Sequence, residues 1–257
     1  MCSSDLDIIR IEPSTHLSVL CPMLPNLPQQ QNIVWKAAAL LQREFSVREG
    51  AKIAIEKHIP DGAGLGGGSS DAASTLRALC SFWNLSVSPA DLHSLARSLG
   101  ADVPFFLCPT HAFASGIGET LEPLPLRIPL HALLVFPGVS VSTAWAYTAL
   151  GRDERLRDTH PPQYFIDKVR ELSTTSARVD MVNHFEEAVF NEFPSVASVA
   201  TFLRSSLCRA SFMSGSGSTL VALFDTRQQA LELSASLNHV HSCVCEFVDT
   251  IPFEVLQ

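Results

Sequence analysis

Long apolar runs are absent from the 257-residue chain. No stretch approaches the roughly 20 consecutive apolar residues that span a bilayer, so no membrane partner is expected. Basic residues are short, 18 Lys and Arg against 26 Asp and Glu, for a formal net charge of −8. That balance repels nucleic-acid phosphates and anionic lipid, so neither is expected as a primary partner. A secretory leader is missing too: Met1-Cys2-Ser3-Ser4-Asp5-Leu6-Asp7 is acidic and has no apolar core. The seven cysteines are odd in number and scattered, which argues against a disulfide framework and for reduced thiols in the cytoplasm. Cys243 and Cys245 form C-x-C without a second Cys/His pair at zinc spacing. Strand alternation would put both on one face, and buried strand thiols are favoured over a metal site. Sequence repeats and low-complexity tracts are also lacking.

What is present is an ordinary globular balance, 46% hydrophobic and 17% charged, enough for one large domain or two ordinary ones. Ile8, Ile9 and Ile11, then Leu17, Val19 and Leu20, read as one or two short strands. Asn32 can cap a helix over 33–45, and the alternation over 51–57 reads as a strand. A glycine-rich turn leads into a helix over 69–82. Ser88-Pro89 opens another that ends near Gly100. Strand signals recur near 111–114 and 132–136. The polar stretch 151–162 is the expected domain boundary, dividing 1–150 from 151–257. Beyond it come helical segments at 163–172, 181–190 and 195–206, strands at 209–213 and 219–224, a helix at 227–237 and a strand at 242–248. This mixed order with antiparallel neighbours predicts an α+β fold rather than a doubly wound parallel sheet.

The informative segment is Pro60-Asp61-Gly62-Ala63-Gly64-Leu65-Gly66-Gly67-Gly68-Ser69-Ser70, which holds five of the chain's 13 glycines. Glycines let a bulky anion approach the backbone closely. The helix that follows offers free N–H groups and the positive end of its dipole, and Ser69 and Ser70 add hydroxyl donors. Together they predict a phosphate cradle, in preference to a flexible linker. No Gly-Lys-Ser/Thr closes the segment, so it is not a Walker A loop. A G-x-G-x-x-G runs from Gly62 to Gly67, but a dinucleotide fold would need a second strand ending in an acid where this chain reads as helix.

Four further segments stand out. In Gly100-Ala101-Asp102-Val103-Pro104-Phe105, Asp102 follows a helix-ending glycine and precedes a proline, so the residues alone favour a helix cap. Ala112-Phe113-Ala114-Ser115-Gly116-Ile117-Gly118-Glu119 reads as a strand and a glycine turn. Pro137-Gly138-Val139-Ser140-Val141-Ser142-Thr143 leads to Tyr147, which is equally well a core aromatic on a helix. In Met213-Ser214-Gly215-Ser216-Gly217-Ser218 the glycines permit close backbone approach and the serines can donate, although a plain hairpin turn would look the same.

The glycine segment resembles the phosphate loop of the GHMP kinase superfamily, P-x-G-x-G-L-G-S/G-S-S, and the other four segments follow in that family's order. Gln31-Asn32-Ile33-Val34-Trp35-Lys36-Ala37-Ala38 is similar to its N-L-V/I-x-x-A-A helix. The resemblance implies a ribosomal-S5-like N-terminal domain, here incomplete at its start, and a ferredoxin-like C-terminal αβ sandwich. It implies ATP with Mg²⁺ on residues 60–70, Asp102 as catalytic base, and substrate contacts from Thr143, Tyr147, Gly215 and Ser216. A carboxylate is a weak base towards an alcohol, which the loose transition state of phosphoryl transfer tolerates. The triple glycine Gly66-Gly67-Gly68 points to the branch that phosphorylates the 2-hydroxyl of a cytidine-diphosphate-linked methylerythritol in non-mevalonate isoprenoid synthesis. Another small-molecule kinase of the superfamily, of homoserine, mevalonate or galactose type, is the alternative. A small-molecule substrate, a cytoplasmic setting and a monomer or weak homodimer are expected.

Family members open with P-A-K-x-N-L, whose Lys partners the Asp, followed by D-G-Y/F-H. Neither occurs in these residues. The resemblance therefore implies either a sequence that continues upstream of Met1 or a non-catalytic nucleotide-binding relative. It also implies that the chain as written is impaired in catalysis and stability.

Overall fold

A computed structural model of the chain describes residues 6–108, 111–116, 118, 120–124, 128–151, 162–237 and 240–246. Of the expected boundary segment 151–162, residues 152–161 lie outside the described residues, as do Ile117, Glu119 and residues 247–248. The described chain is α+β and groups into two units, one of Leu6–Ile59 with Gly66–Pro125, the other of Pro60–Leu65 with Leu126–Asp249.

In the first unit β1 (Ile8–Ser14), β2 (Ser18–Leu20) and β3 (Gly50–Glu56) form a sheet in the order β1-β3-β2. β1 runs antiparallel to β3, setting Ile9 opposite Ile55 and Ile11 opposite Ile53, and β2 runs parallel to β3. Period-two alternation along β3 turns Ala51, Ile53 and Ile55 inward. Against them pack α1 (Ile33–Phe45), α2 (Gly67–Phe82) and α3 (Pro89–Leu99), which bury Val34, Leu41, Leu76, Leu79 and Ala96. α1 begins where expected because the Asn32 side chain accepts the Val34 N–H at 2.9 Å. α3 begins at Pro89 with the Ser88 hydroxyl accepting from Asp91. α2 starts at Gly67, two residues before the expected Ser69, because the glycines themselves enter the helix. A 3-10 helix, Val103–Leu107, packs on α2, and β4 (Ala112–Ser115) pairs with β5 (Thr120–Pro123).

In the second unit β6 (His131–Phe136), β7 (Ala210–Met213), β8 (Leu220–Phe224) and β9 (His241–Glu246) form an antiparallel sheet ordered β7-β8-β6-β9. This unit thus takes a strand from before residue 150. The sheet is covered on both faces, and every residue of β8 is buried. Around it lie α4 (Thr143–Gly151), α5 (Pro162–Thr174), α6 (Glu186–Glu192), α7 (Pro194–Ser205) and α8 (Arg227–Ser236). The buried Arg209 guanidinium donates to the carbonyls of Leu172, Thr175 and Ala177 and pairs with Asp225 at 2.5 Å, tying the end of α5 to the sheet. The helix expected over 181–190 begins only at Glu186, because the Asn183 side chain accepts the Phe185 N–H and spends its own N–H groups on another loop. The Cys243 and Cys245 sulfurs lie 3.7 Å apart on one face of β9. Among the described residues no helix is long and apolar enough to cross a membrane.

Candidate active site

The glycine loop enters α2 without a side-chain cap. Gly66 stands at the cap position in the left-handed conformation, φ +68°, and no side chain bonds the first helical N–H groups. α1, α3 and α8 are each capped by a polar side chain. Ser70 is the first residue of the turn whose N–H is taken up, by the Gly66 carbonyl at 2.9 Å. The start of α2 therefore presents the unpaired donors and positive dipole end that suit an anion. A Cβ on Gly66 would stand 2.7 Å from the Phe106 ring, so the segment after Asp102 packs directly on the loop.

Asp102 occupies the cap position of Val103–Leu107, as the residues alone favoured, but its carboxylate makes no capping hydrogen bond. It is exposed, and Gly118 lies beside it: a Cβ there would stand 3.6 Å from Oδ1. The glycine turn of the third segment thus leaves room around this carboxylate. Glu119, the last residue of that segment, lies outside the described residues.

The first half of the loop is held by the Met213–Ser218 segment. The Ser214 hydroxyl donates to the Gly64 carbonyl at 2.9 Å, and the Thr219 N–H to the Ala63 carbonyl at 3.2 Å. Gly64, at φ +74°, lies so close that a Cβ would stand 2.3 Å from the Ser214 carbonyl oxygen. Two of the expected substrate residues meet: the Thr143 and Ser216 hydroxyls are 3.1 Å apart. Asn183 donates to the carbonyls of Met213 (2.6 Å) and Gly215 (2.8 Å), so it shapes the turn that carries Gly215 and Ser216. Tyr147 is 58% exposed and is not a core residue. Its ring meets Phe185 edge-on at 5.0 Å, which makes an open aromatic corner.

Sequence reasoning missed Asn183, Phe185 and a buried charge cluster at the base of the loop. Lys57 pairs with Asp71 at 2.9 Å and more tightly with Asp7. Burial pushes the Asp7 carboxyl up, but Lys57 and the N–H groups of Ile59 and His58 outweigh it and hold Asp7 below its usual range. Asp71 has only the ammonium to set against burial, which pushes its carboxyl up to about 7. Burial alone would lower the Lys57 ammonium, yet the two carboxylates raise it. Asp71 therefore holds its proton more tightly folded than unfolded. Its contribution to stability is complete below the ordinary carboxylate value of 3.8 and is lost as pH rises to about 7. Asp71→Asn, which cannot titrate, is expected to remove this component. Urea denaturation of both chains at pH 4, 5.5 and 7 checks it, and parallel pH dependences would refute it.

Among the described residues no three His, Cys, Asp or Glu side chains gather as metal ligands. The Ser69 and Ser70 hydroxyls are hard oxygen donors of the kind Mg²⁺ prefers when most of its shell comes from water and phosphate.

Comparison with known proteins gives two family matches, GHMP kinases N terminal domain over residues 32–109 and GHMP kinases C terminal over residues 165–242. The chain is 40% identical over 235 residues to the 4-diphosphocytidyl-2-C-methyl-D-erythritol kinase of Chlorobaculum tepidum, covering 90% of this chain and 81% of that protein. It is 43% identical over 227 residues to the enzyme of the same name from Chlorobium limicola, covering 87% and 78%. Among solved structures, a 4-(cytidine 5'-diphospho)-2C-methyl-D-erythritol kinase superposes with a TM-score of 0.74 at 33% identity, over 93% of this chain and 85% of that one. Homoserine kinase from Cytophaga hutchinsonii shares the fold, with a TM-score of 0.70 at 17% identity over 95% and 85% of the two chains.

Proposed function

Because the chain belongs to the GHMP kinases, we propose that residues 60–70 hold the phosphates of ATP and that Asp102 receives the proton of the acceptor hydroxyl. The chain is an ATP-dependent small-molecule kinase that phosphorylates 4-diphosphocytidyl-2-C-methyl-D-erythritol in non-mevalonate isoprenoid synthesis. The observation that carries the site assignment is the uncapped start of α2 inside the glycine loop. Its free N–H groups offset the charge of a bound polyphosphate, and the glycines let that polyphosphate approach.

On this reading the substrate 2-hydroxyl oxygen forms a bond to the γ-phosphorus as the bond to the β,γ-bridging oxygen breaks. ADP leaves with that electron pair, and the hydroxyl proton passes to Asp102. The side chains contribute orientation and fixed charge, which phosphoryl transfer demands most. Mg²⁺, when bound, would neutralise charge on the phosphates, and Ser69 and Ser70 are the residues that would hold it. Thr143, Gly215 and Ser216 would contact the substrate, and Tyr147 would stack its base. The exposure of Tyr147 and the hydrogen bond between Thr143 and Ser216 support these roles. Along the sequence we take residues 1–150 as the ATP-binding domain and 151–257 as the C-terminal domain, although β6 and α4, which begin before residue 151, pack with the second unit. The two family matches fall on either side of that division. The working form would be a monomer or weak homodimer in the cytoplasm, with no nucleic-acid partner.

The test follows ADP release with the cytidylyl substrate, homoserine and mevalonate, in the parent and in Tyr147→Leu. The cytidylyl compound is expected to be preferred. Tyr147→Leu should raise its KM by about tenfold, in line with one base–aromatic stack, and leave the KM for ATP unchanged. A preference for either other alcohol would overturn the substrate, and an unchanged KM would remove Tyr147 from the site.

A further inference from the structure

We infer that Lys57 is a positioning residue for the phosphate loop, its buried ammonium tying the strand that enters the loop to the helix that leaves it. The inference rests on the nucleotide reading above. Lys57 lies three residues before Pro60, and Asp71 immediately after Ser70. The 2.9 Å contact between Lys57 Nζ and Asp71 Oδ2 therefore joins the two stems of the loop. Asp7 completes the joint from the start of β1. Its Oδ2 accepts from Lys57 Nζ, and its Oδ1 accepts the N–H groups of His58 (2.6 Å) and Ile59 (2.9 Å). The two residues between Lys57 and the loop are thereby fixed as well. All three charged side chains are buried, at 8% exposure for Lys57, 3% for Asp7 and 6% for Asp71. The ammonium lies close under the first helical residue: a Cβ on Gly67 would stand 3.3 Å from Nζ and 2.9 Å from Ile59 Cγ2.

A glycine-rich segment loses much backbone freedom when it closes on a ligand. Joining its ends lowers that cost before the ligand arrives. Stability alone does not account for such a joint, since a buried ion triad is commonly matched by apolar residues of the same volume. Here the charges join three separate stretches of chain at the mouth of one loop.

The experiment is calorimetric titration of ATP, and separately of the cytidylyl substrate, into the parent chain and into Lys57→Met, Asp71→Leu and Asp71→Asn. Circular dichroism establishes that each is folded. Lys57→Met and Asp71→Leu are expected to weaken ATP about tenfold, the scale of a displaced binding element, with the cytidylyl substrate unaffected. Asp71→Asn keeps an oxygen acceptor for the ammonium and should stay within about threefold of the parent. An Asp71→Leu chain that folds and binds ATP like the parent overturns the inference. If Lys57→Met does not fold, the two Asp71 variants decide. If neither Lys57→Met nor Asp71→Leu folds, the cluster is structural only and the inference falls. A parent chain that binds no ATP overturns the nucleotide reading itself, which separates that failure from failure of the joint.

Discussion

Asp102→Asn is expected to lower kcat by about a hundred- to ten-thousand-fold, the range found when a positioned general base is removed. ATP affinity should stay within about twofold of the parent, because the lost group acts on the acceptor hydroxyl and not on the phosphates. The substitution is nearly isosteric. It leaves Val103–Leu107 in place, since the Asp102 carboxylate contributes no cap to that helix. It also leaves the Phe106 ring against Gly66, so the loop keeps its packing. What changes is the ability to take a proton. Steady-state kinetics with the cytidylyl substrate, alongside ATP titration, separates the two quantities. A kcat within twofold of the parent would strip Asp102 of its role. A parallel loss of ATP affinity would make it a phosphate-site residue instead.

Gly64→Ala is expected to have the largest effect on the loop itself. At φ +74° an alanine pays for a left-handed backbone, about 1–2 kcal/mol. Its Cβ would also stand 2.3 Å from the Ser214 carbonyl oxygen and 2.8 Å from that of Gly217. Both obstacles are backbone atoms, so relief requires one loop to move away from the other. That movement breaks the hydrogen bond from the Ser214 hydroxyl to Gly64. A stability loss of about 2–4 kcal/mol is expected, together with loss of measurable ATP binding. Chemical denaturation and ATP titration measure both. Retention of parent stability and affinity would mean that the close approach of the two loops is dispensable.

Much of this was legible in local chemistry. The Asn32 cap fixed the start of α1, Ser88-Pro89 that of α3, and alternation marked β3. The glycine loop was found because five glycines between a strand and a helix have few other uses. Pairing was harder to read. β6 lies beside β8 and β9, roughly 90 to 110 residues further along, and no local pattern reports such a partner. The role of Asp102 was not decidable from its neighbours, because a cap and a base ask for the same residue type. The Lys57 cluster left a signal that went unused. Lys57, the residue after β3, continues the parity of Ala51, Ile53 and Ile55, so alternation carried one step further turns it inward. Asp71 sits one turn before Thr75 on the buried face of α2. An inward lysine before the loop and an inward aspartate after it are a pair in waiting. Asn183 carried no such mark, since its bonds run to carbonyls 30 and 32 residues away.

The central strand of the second sheet, Leu-Val-Ala-Leu-Phe at 220–224, has no charge, no proline and no face turned to water. In the finished protein β7 and β6 occupy its two edges. During synthesis β6 emerges long before β8 and must wait for it, whereas β7, the neighbour on the other side of β8, leaves the ribosome just ahead of it. A segment of that composition self-associates readily when uncovered. The outer edge of β6 is therefore the last in this sheet to be paired, once β9 follows.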